Sequence, residues 1–397
     1  MRPDQSHLSL PFFDDVHRQL GEDVAAWASA TAPQIDERDD RAACKAWVQA
    51  LGNAGFLRWC VPSAYGGALA ALDSRALVVL RETLAFHSPL ADFAFAMQGL
   101  GSGAITLAGT DAQKQGYLGA VAQGRKIAAF ALSEPGAGSD AGSLATTAVK
   151  TADGWVLNGE KTWISNGGIA DFYCVFAKTE PDAGTRGISA FVVDASAAGL
   201  DDRRHIPVMA PHPLATVMLR DCVVPETALL GPLNGGFKLA MQTLDIFRAS
   251  VAGAALGFAR RALVEATQHA QQRRMFGHTL ADFQLTQAKL GQMAADVDAG
   301  ALLTYRAAWL RDDAVRRGSN ARITAEPAMA KMTATENAQR VIDAALQMHG
   351  GLGVMVGSKV ESLYRDIRSL RIYEGATEVQ QLIIGKHVLS TLSAAGQ

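Results

Sequence analysis

The hydrophobic pattern of this chain changes period twice, and that double change limits the possible folds more than any other feature. From about Phe12 to Gln123 the sequence is rich in alanine and leucine, and segments such as Ser74 to Phe86 (SRALVVLRETLAF) put apolar residues at helical spacing. At Lys126 the character changes. KIAAFALS, GWVLNGEKTWIS, DFYCVFAKT, RGISAFVVDA and TVMLRDCVVP are short, rich in β-branched and aromatic residues, and divided by turn signals such as Asp153-Gly154, so they read as strands. This β region ends near Pro232. Beyond it long alanine-rich helical patterns return over Gly236 to Arg274, Leu280 to Arg317 and Pro327 to His349, followed by a shorter helix on each side of RIYEGA. The expected class is α+β, with a helical domain over 1–125, a β domain over 126–234 and a second helical domain over 235–397. There is no internal repeat and no low-complexity linker.

Bulk properties remove several functions. A chain of 397 residues that is 49% hydrophobic and 19% charged suits a globular enzyme of two or three domains with a substantial core. The formal net charge of −2 gives no global drive towards nucleic acid or an anionic membrane, so an anionic ligand must be held by local groups. Cys44, Cys60, Cys174 and Cys222 form no CxxC pair and the nine histidines no HExxH, so neither a metal site nor a disulfide framework is expected. The N-terminal MRPDQSHLSLPFFDD has acidic residues and prolines where a signal peptide needs an unbroken apolar run, and no stretch reaches transmembrane length. Cytoplasmic location is the expectation.

Several motifs bear chemistry. RIYEGATEVQQ, Arg371 to Gln381, sets Glu374 between a bulky aromatic and a glycine. A glutamate that removes a proton from carbon must be partly desolvated so that its pKa rises, and Ile372 and Tyr373 supply apolar bulk while Gly375 allows close approach. Taken alone, the stretch reads first as an ordinary loop between helices with a solvated Glu and a flexible Gly. FALSEPGAGSD, Phe130 to Asp140, spaces Gly136, Gly138 and Ala141 as in dinucleotide-binding fingerprints, but Gly142-Ser143-Leu144 continues into strand-like sequence where a helix is required. The reading kept is a loop whose amides, with the hydroxyls of Ser133 and Ser139, face a polar ligand. HGGLGVMVG, His349 to Gly357, follows a helix and fails the same test.

In GEKTWISNGG, Trp163 and Ser165 stand two apart, on one face of a strand, where an indole and a hydroxyl suit a flat ring system; a core Trp with a turn-proximal Ser is the alternative. QQRRMFG puts Arg273 and Arg274 at a helix end beside Phe276, a place where arginine also simply complements the helix dipole. VPSAYGG, Val61 to Gly67, ends a helix in a turn. Phe93, Phe95, Met97 and Leu100 read as core or as the wall of an apolar pocket.

FALSEPGAGSD, GEKTWISNGG, RRMFG followed by Gln284, QMHGG and RIYEGATEVQ, with VPSAYGG near the N-terminus, occur in an order and domain context that resembles the acyl-CoA dehydrogenase family over nearly the whole chain. The resemblance implies an N-terminal helical domain, a middle β-barrel and a C-terminal four-helix bundle. It implies FAD, held by Phe130, Leu132, Ser133, Gly138 and Ser139, with Trp163, Ile164 and Ser165 covering the flavin face. It implies that Arg273, Phe276, Gln284, Gln347 and Gly351 reach the FAD of a neighbouring subunit, and that Ala376, Thr377 and Glu378 also meet the cofactor. Ser139, Asp245, Arg248 and Gly375 would hold acyl-CoA.

By the same resemblance Glu374 takes the α-proton of a thioester, FAD takes the β-hydride, and the backbone NH of Glu374 helps to hold the thioester oxygen. Electron-transferring flavoprotein is the implied acceptor and a homotetramer, a dimer of dimers, the implied assembly. Two departures affect cofactor contacts: EGATEVQ stands where many members have EGTxxIQ, and Met275 stands where Thr is common. The position before Arg248, where some members carry their base, is Phe247. A flavin oxidase or monooxygenase on the same fold is the rival reading, opposed by Glu374. A DNA-associated member would need a basic face. The acyl group is not specified by sequence.

Overall fold

The computed structural model describes residues 3–319 and 323–395, so the outer ends of the first and last expected domains, at 1 and 397, lie outside the described residues. Five helices open the chain: α1 Asp15–Thr31, α2 Asp40–Asn53, α3 Ser74–His87, α4 Pro89–Ala108 and α5 Asp111–Ala122. Eight strands follow: β1 Ala128–Ala131, β2 Thr147–Thr151, β3 Gly154–Ser165, β4 Phe172–Lys178, β5 Ile188–Asp194, β6 Leu200–His205, β7 Leu214–Val224 and β8 Leu229–Leu230. Then come α6 Gly236–Gln272, a hairpin of β9 Arg274–Met275 and β10 His278–Thr279, α7 Gln284–Arg316, α8 Ala325–His349, α9 Lys359–Leu370 and α10 Thr377–Ala395. The helical, strand-rich, helical succession agrees with the periodicity, and the long helices end within a few residues of the expected limits.

Two compact units divide the chain differently from its linear order. One collects Met1–Gln34, Asp73–Asp92 and Arg248–Gln397, the other Ile35–Leu72 and Phe93–Phe247.

The first unit is helical. Within it α3 packs on α1 and α7, and α8 packs on α7, α9 and α10. Glycine decides how closely α6 meets α3: a Cβ on Gly257 would stand 2.2 Å from the Glu82 carbonyl oxygen, so only glycine permits the approach. Several buried polar groups of this unit are paired across helices. Asp312 of α7 accepts from the amides of Ser74 (2.7 Å) and Arg75 (3.0 Å), satisfying the free NH groups at the start of α3. The Tyr305 hydroxyl donates to Glu82 Oε2 at 2.9 Å, and the Arg260 guanidinium pairs with the same carboxylate.

The second unit is built on one mixed sheet of eight strands, in the order β6-β7-β3-β2-β4-β5-β8, with β1 parallel to β4. β4 is buried over Phe172–Ala177, a continuous apolar run with neighbours on both edges. α2, α5 and α4 from Phe93 onwards belong to the same unit. Phe95, Ala96, Met97 and Leu100 of α4 are buried, and Phe247 at the unit's end packs its ring so tightly that a Cβ on Gly99 would lie 2.6 Å from it. The VPSAYGG turn is a single 3-10 turn closed by Gly66 at φ +92. All four cysteines are buried thiols outside any disulfide. Among the described residues no helix is long and apolar enough to cross a membrane, and no cluster of His, Cys, Asp and Glu has metal-ligand geometry.

Candidate active site

Glu374 sits in the loop between α9 and α10, in the helical unit. Its backbone adopts φ +52 and the next residue, Gly375, φ +91, two left-handed conformations in succession. A Cβ on Gly375 would lie 2.4 Å from Gln380 Nε2, so the end of that side chain would have to shift. The loop is tied down at both ends: Glu336 of α8 accepts from Arg371 Nε at 2.8 Å and from Thr377 Oγ1 at 2.6 Å. In the middle, the Gly375 carbonyl accepts from Lys331 Nζ at 2.8 Å and from Gln380 Nε2 at 2.9 Å.

The residue as a whole is half-buried, but Glu374 Oε2 is a buried atom with no hydrogen-bond partner among the described residues. Burial pushes the carboxyl above its ordinary range, while Arg81, Lys331 and Arg248 pull in the opposite direction and Asp92 adds to the rise. Arg81 is itself committed to Asp92 through two hydrogen bonds of 2.8 and 2.9 Å, and the Tyr373 hydroxyl faces its guanidinium. A carboxylate that is desolvated, under-bonded and held by a fixed loop has the properties of a general base.

The second group of residues lies in the sheet unit. β1 leads into the SEPGAGSD loop, which is held against β3: Thr162 N donates to the Ser133 carbonyl at 3.0 Å, and Lys161 Nζ donates to the Leu132 carbonyl at 3.2 Å. Lys161 is completely buried and also donates to Glu134 Oε1 at 2.7 Å, while Glu134 accepts from the amides of Ala145 and Thr146. Burial lowers the Lys161 pKa to about 8. For Glu134 burial acts upwards, but Lys161 and the amides outweigh it and hold the carboxyl below its ordinary range. The pair fixes where Leu132 and Ser133 present their backbone. Gly136 and Gly138 have open space where a Cβ would stand, and Gly138 and Ser139 are exposed.

Simple alternation along β3 expects Trp163 and Ser165 on one face with Lys161, yet Lys161 is buried, Ser165 half-buried and Trp163 60% exposed. The cause is a bulge: the pairing with β7 shifts register between Lys161 and Ile164, and Trp163 takes φ +59. An extra residue at that point turns the indole outwards, beside the strand that carries the Ser133 loop. Phe130 is half-buried, its ring against Phe176 at 4.9 Å between centroids.

Of the remaining expected residues, Arg273 and Phe276 lie at the β9–β10 hairpin, whose two-residue turn has positive φ at Phe276 and Gly277, leaving the Phe276 ring 82% exposed. Gln284, Gln347 and Gly351 are exposed. The structure brings the α6 end that precedes Arg273 next to Gln347 and Gly351, because His269 and His349 stack with centroids 4.2 Å apart. Thr377 spends its hydroxyl on Glu336, while Ala376 is half-buried and Glu378 exposed. Asp245 is half-buried and Arg248 buried. Phe247 fills the position before Arg248, and no carboxylate stands there.

Sequence reasoning missed Lys331, Glu336, Lys161 and Glu134. Their signal was phase: Lys331 falls on the buried stripe with Ala328, Ala334, Ala338 and Val341, and Lys161 is in step with Trp155 and Leu157. A charge on a buried face must be paired.

Three family models match the chain: acyl-CoA dehydrogenase N-terminal domain over 14–125, middle domain over 129–222 and C-terminal domain over 234–389. A 3-(aryl)acrylate reductase of Clostridium sporogenes is 40% identical over 95% of this chain and 100% of its own length. The CarC subunit of a caffeyl-CoA reductase–Etf complex of Acetobacterium woodii is 40% identical over 85% of this chain and 88% of its own. Among solved structures, butyryl-CoA dehydrogenase of Megasphaera elsdenii superposes with a TM-score of 0.87 at 32% identity, covering 95% of this chain and 99% of that one. An acyl-CoA dehydrogenase of Bacillus anthracis in complex with FAD superposes with a TM-score of 0.89 at 31% identity, covering 97% of this chain and 68% of that one.

Proposed function

The chain belongs to the acyl-CoA dehydrogenase family, FAD-dependent oxidoreductases acting on CH–CH donors, and from that premise we propose that Glu374 is the base in α,β-dehydrogenation of an acyl-CoA thioester to the trans-2-enoyl-CoA. The observation that carries this reading is the Glu374 carboxyl itself, with a buried Oε2 that accepts no hydrogen bond among the described residues and a pKa pushed up by burial. Such a group keeps its lone pair for a carbon acid. Bound FAD supplies a hydride acceptor for the β-carbon.

The residues present fit that cofactor. An exposed indole on a bulge, half-buried Ser133 and Ser165, and a glycine loop open above its backbone suit one edge and one face of a flat ring. In this reading Phe130, Leu132, Ser133, Gly138, Ser139, Trp163, Ile164 and Ser165 hold the flavin. Arg273, Phe276, Gln284, Gln347 and Gly351 meet the FAD of a neighbouring subunit in a homotetramer. Ala376, Thr377 and Glu378 make lesser contacts, since Thr377 already serves Glu336. Ser139, Asp245, Arg248 and Gly375 hold the thioester and its CoA. The functional domains we assign are 1–125, 126–234 and 235–397.

Electron-transferring flavoprotein is the proposed acceptor, supported by the relative that is a subunit of an Etf complex. Two relatives are named as reductases, and the same residues serve either direction: the base that removes the α-proton is, reversed, the acid that returns it. The test is an anaerobic panel of saturated acyl-CoA thioesters, straight, branched and aryl-substituted. Bleaching of the flavin by at least one, with the matching enoyl-CoA as product, is expected; bleaching by none would remove the dehydrogenase reading. Rapid peroxide formation in air with no response to electron-transferring flavoprotein would favour the oxidase.

A further inference from the structure

The loop that carries Glu374 is held by α8 at three points, and the middle one is a lysine. Glu336 takes the two ends, at Arg371 and Thr377, and Lys331 takes the Gly375 carbonyl at 2.8 Å. Lys331 is 0% exposed. An ammonium is strongly hydrated in water, so complete burial is tolerated only with good acceptors and opposing charge. The charged groups facing it are the Glu374 carboxyl from the loop, Arg248 of α6, Glu336 of its own helix and Glu378 of α10. Facing Glu374 are Arg81 of α3, Asp92 of α4, Arg248 of α6 and Lys331, with the Tyr373 hydroxyl alongside. Arg81 is largely balanced by Asp92. Lys331 is the cation that also bonds the backbone of the residue next to Glu374.

Resting on the reading of Glu374 as base, we propose that Lys331 is its positioning residue: the bond to the Gly375 carbonyl fixes the two left-handed residues that aim the carboxyl, and the ammonium joins Arg81 and Arg248 as a counter-charge that favours its ionised form. Burial lowers the Lys331 pKa only to about 8, so the cation persists at neutral pH. Removing a nearby positive charge disfavours a carboxylate. Glu374 would then hold its proton to higher pH and act as a base only above it.

Lys331→Gln keeps a donor without the charge, and Lys331→Met removes both. The direct readout is the infrared C=O stretch of the protonated Glu374 carboxyl, identified as the band missing from Glu374→Gln and followed against pH in the FAD-loaded protein without substrate. A midpoint raised by roughly one pH unit or more in both lysine variants is expected. The pH profile of kcat/KM should move the same way, and Lys331→Met should in addition reduce the plateau rate of flavin reduction more than Lys331→Gln. An unmoved midpoint in both variants overturns the proposal. So does failure of Lys331→Gln to fold, since the lysine would then belong to the core and not to the site. Should Glu374→Gln bleach at the parent rate, the base assignment falls while the infrared midpoint still reports on Lys331. A dead Glu374→Gln with unmoved midpoints removes the lysine's role alone.

Discussion

At Glu374 backbone and side chain are both held in places their chemistry resists, a left-handed conformation and a buried carboxyl. The stability consequence has a definite sign. Burial holds the native pKa above the ordinary 4.5, so the folded state binds this proton more tightly than the unfolded chain does. The contribution to stability is full below the unfolded value and is lost as pH rises through the raised native one. Glu374→Gln should therefore melt higher than the parent at neutral pH, with the difference shrinking in acid; thermal melts of both proteins across pH check it, and a variant less stable at neutral pH would count against the buried, poorly satisfied carboxyl. Glu374 stood out in the sequence because its neighbours in RIYEGA are distinctive. Lys331 did not, because a lysine in an alanine-rich helix looks like a solvated residue until its phase with Ala328 and Ala334 is noticed.

At the scale of elements, the loop after β1 depends on β3. Lys161→Met leaves Glu134 as a buried carboxylate with two amides and no cation, a change that costs about 3–5 kcal/mol in comparable buried pairs. Because Glu134 is held below its ordinary range, its share of stability is present above 4.5 and is lost as pH falls through the native value. Lys161→Met should flatten that acid limb and release FAD more easily, measured by denaturant melts across pH and by flavin retained after gel filtration. In the helical unit, Gly257→Ala should cost roughly 1–3 kcal/mol by forcing α6 from α3, read as a lower Tm. Helices and strands were legible from their periods. The bulge at Trp163 was not, since alternation assumes an unbroken pairing register and the shift depends on β7, about fifty residues away in sequence.

For the whole molecule, Phe276 (82% exposed), Leu285 (87%) and Val356 (84%) are large apolar side chains that the single chain leaves in water. In the proposed tetramer neighbouring subunits would cover them, and FAD retention and assembly would then be one equilibrium. Arg273→Ala should weaken FAD retention far more than Arg274→Ala, because a guanidinium fork suits a pyrophosphate. Sedimentation should give a homotetramer with one FAD per chain; a monomer with full FAD would refute sharing. Fold class and family were legible because motif order spans the chain. The two compact units were not, because their segments interleave along the sequence and close packing, not chain order, defines them.

The most direct measurement is the single-turnover rate of flavin bleaching in Glu374→Gln against the parent, anaerobically, with a thioester the parent oxidises. Expected is an FAD-loaded variant that binds the thioester but reduces its flavin at least roughly 10²-fold more slowly. Bleaching at near the parent rate would contradict it.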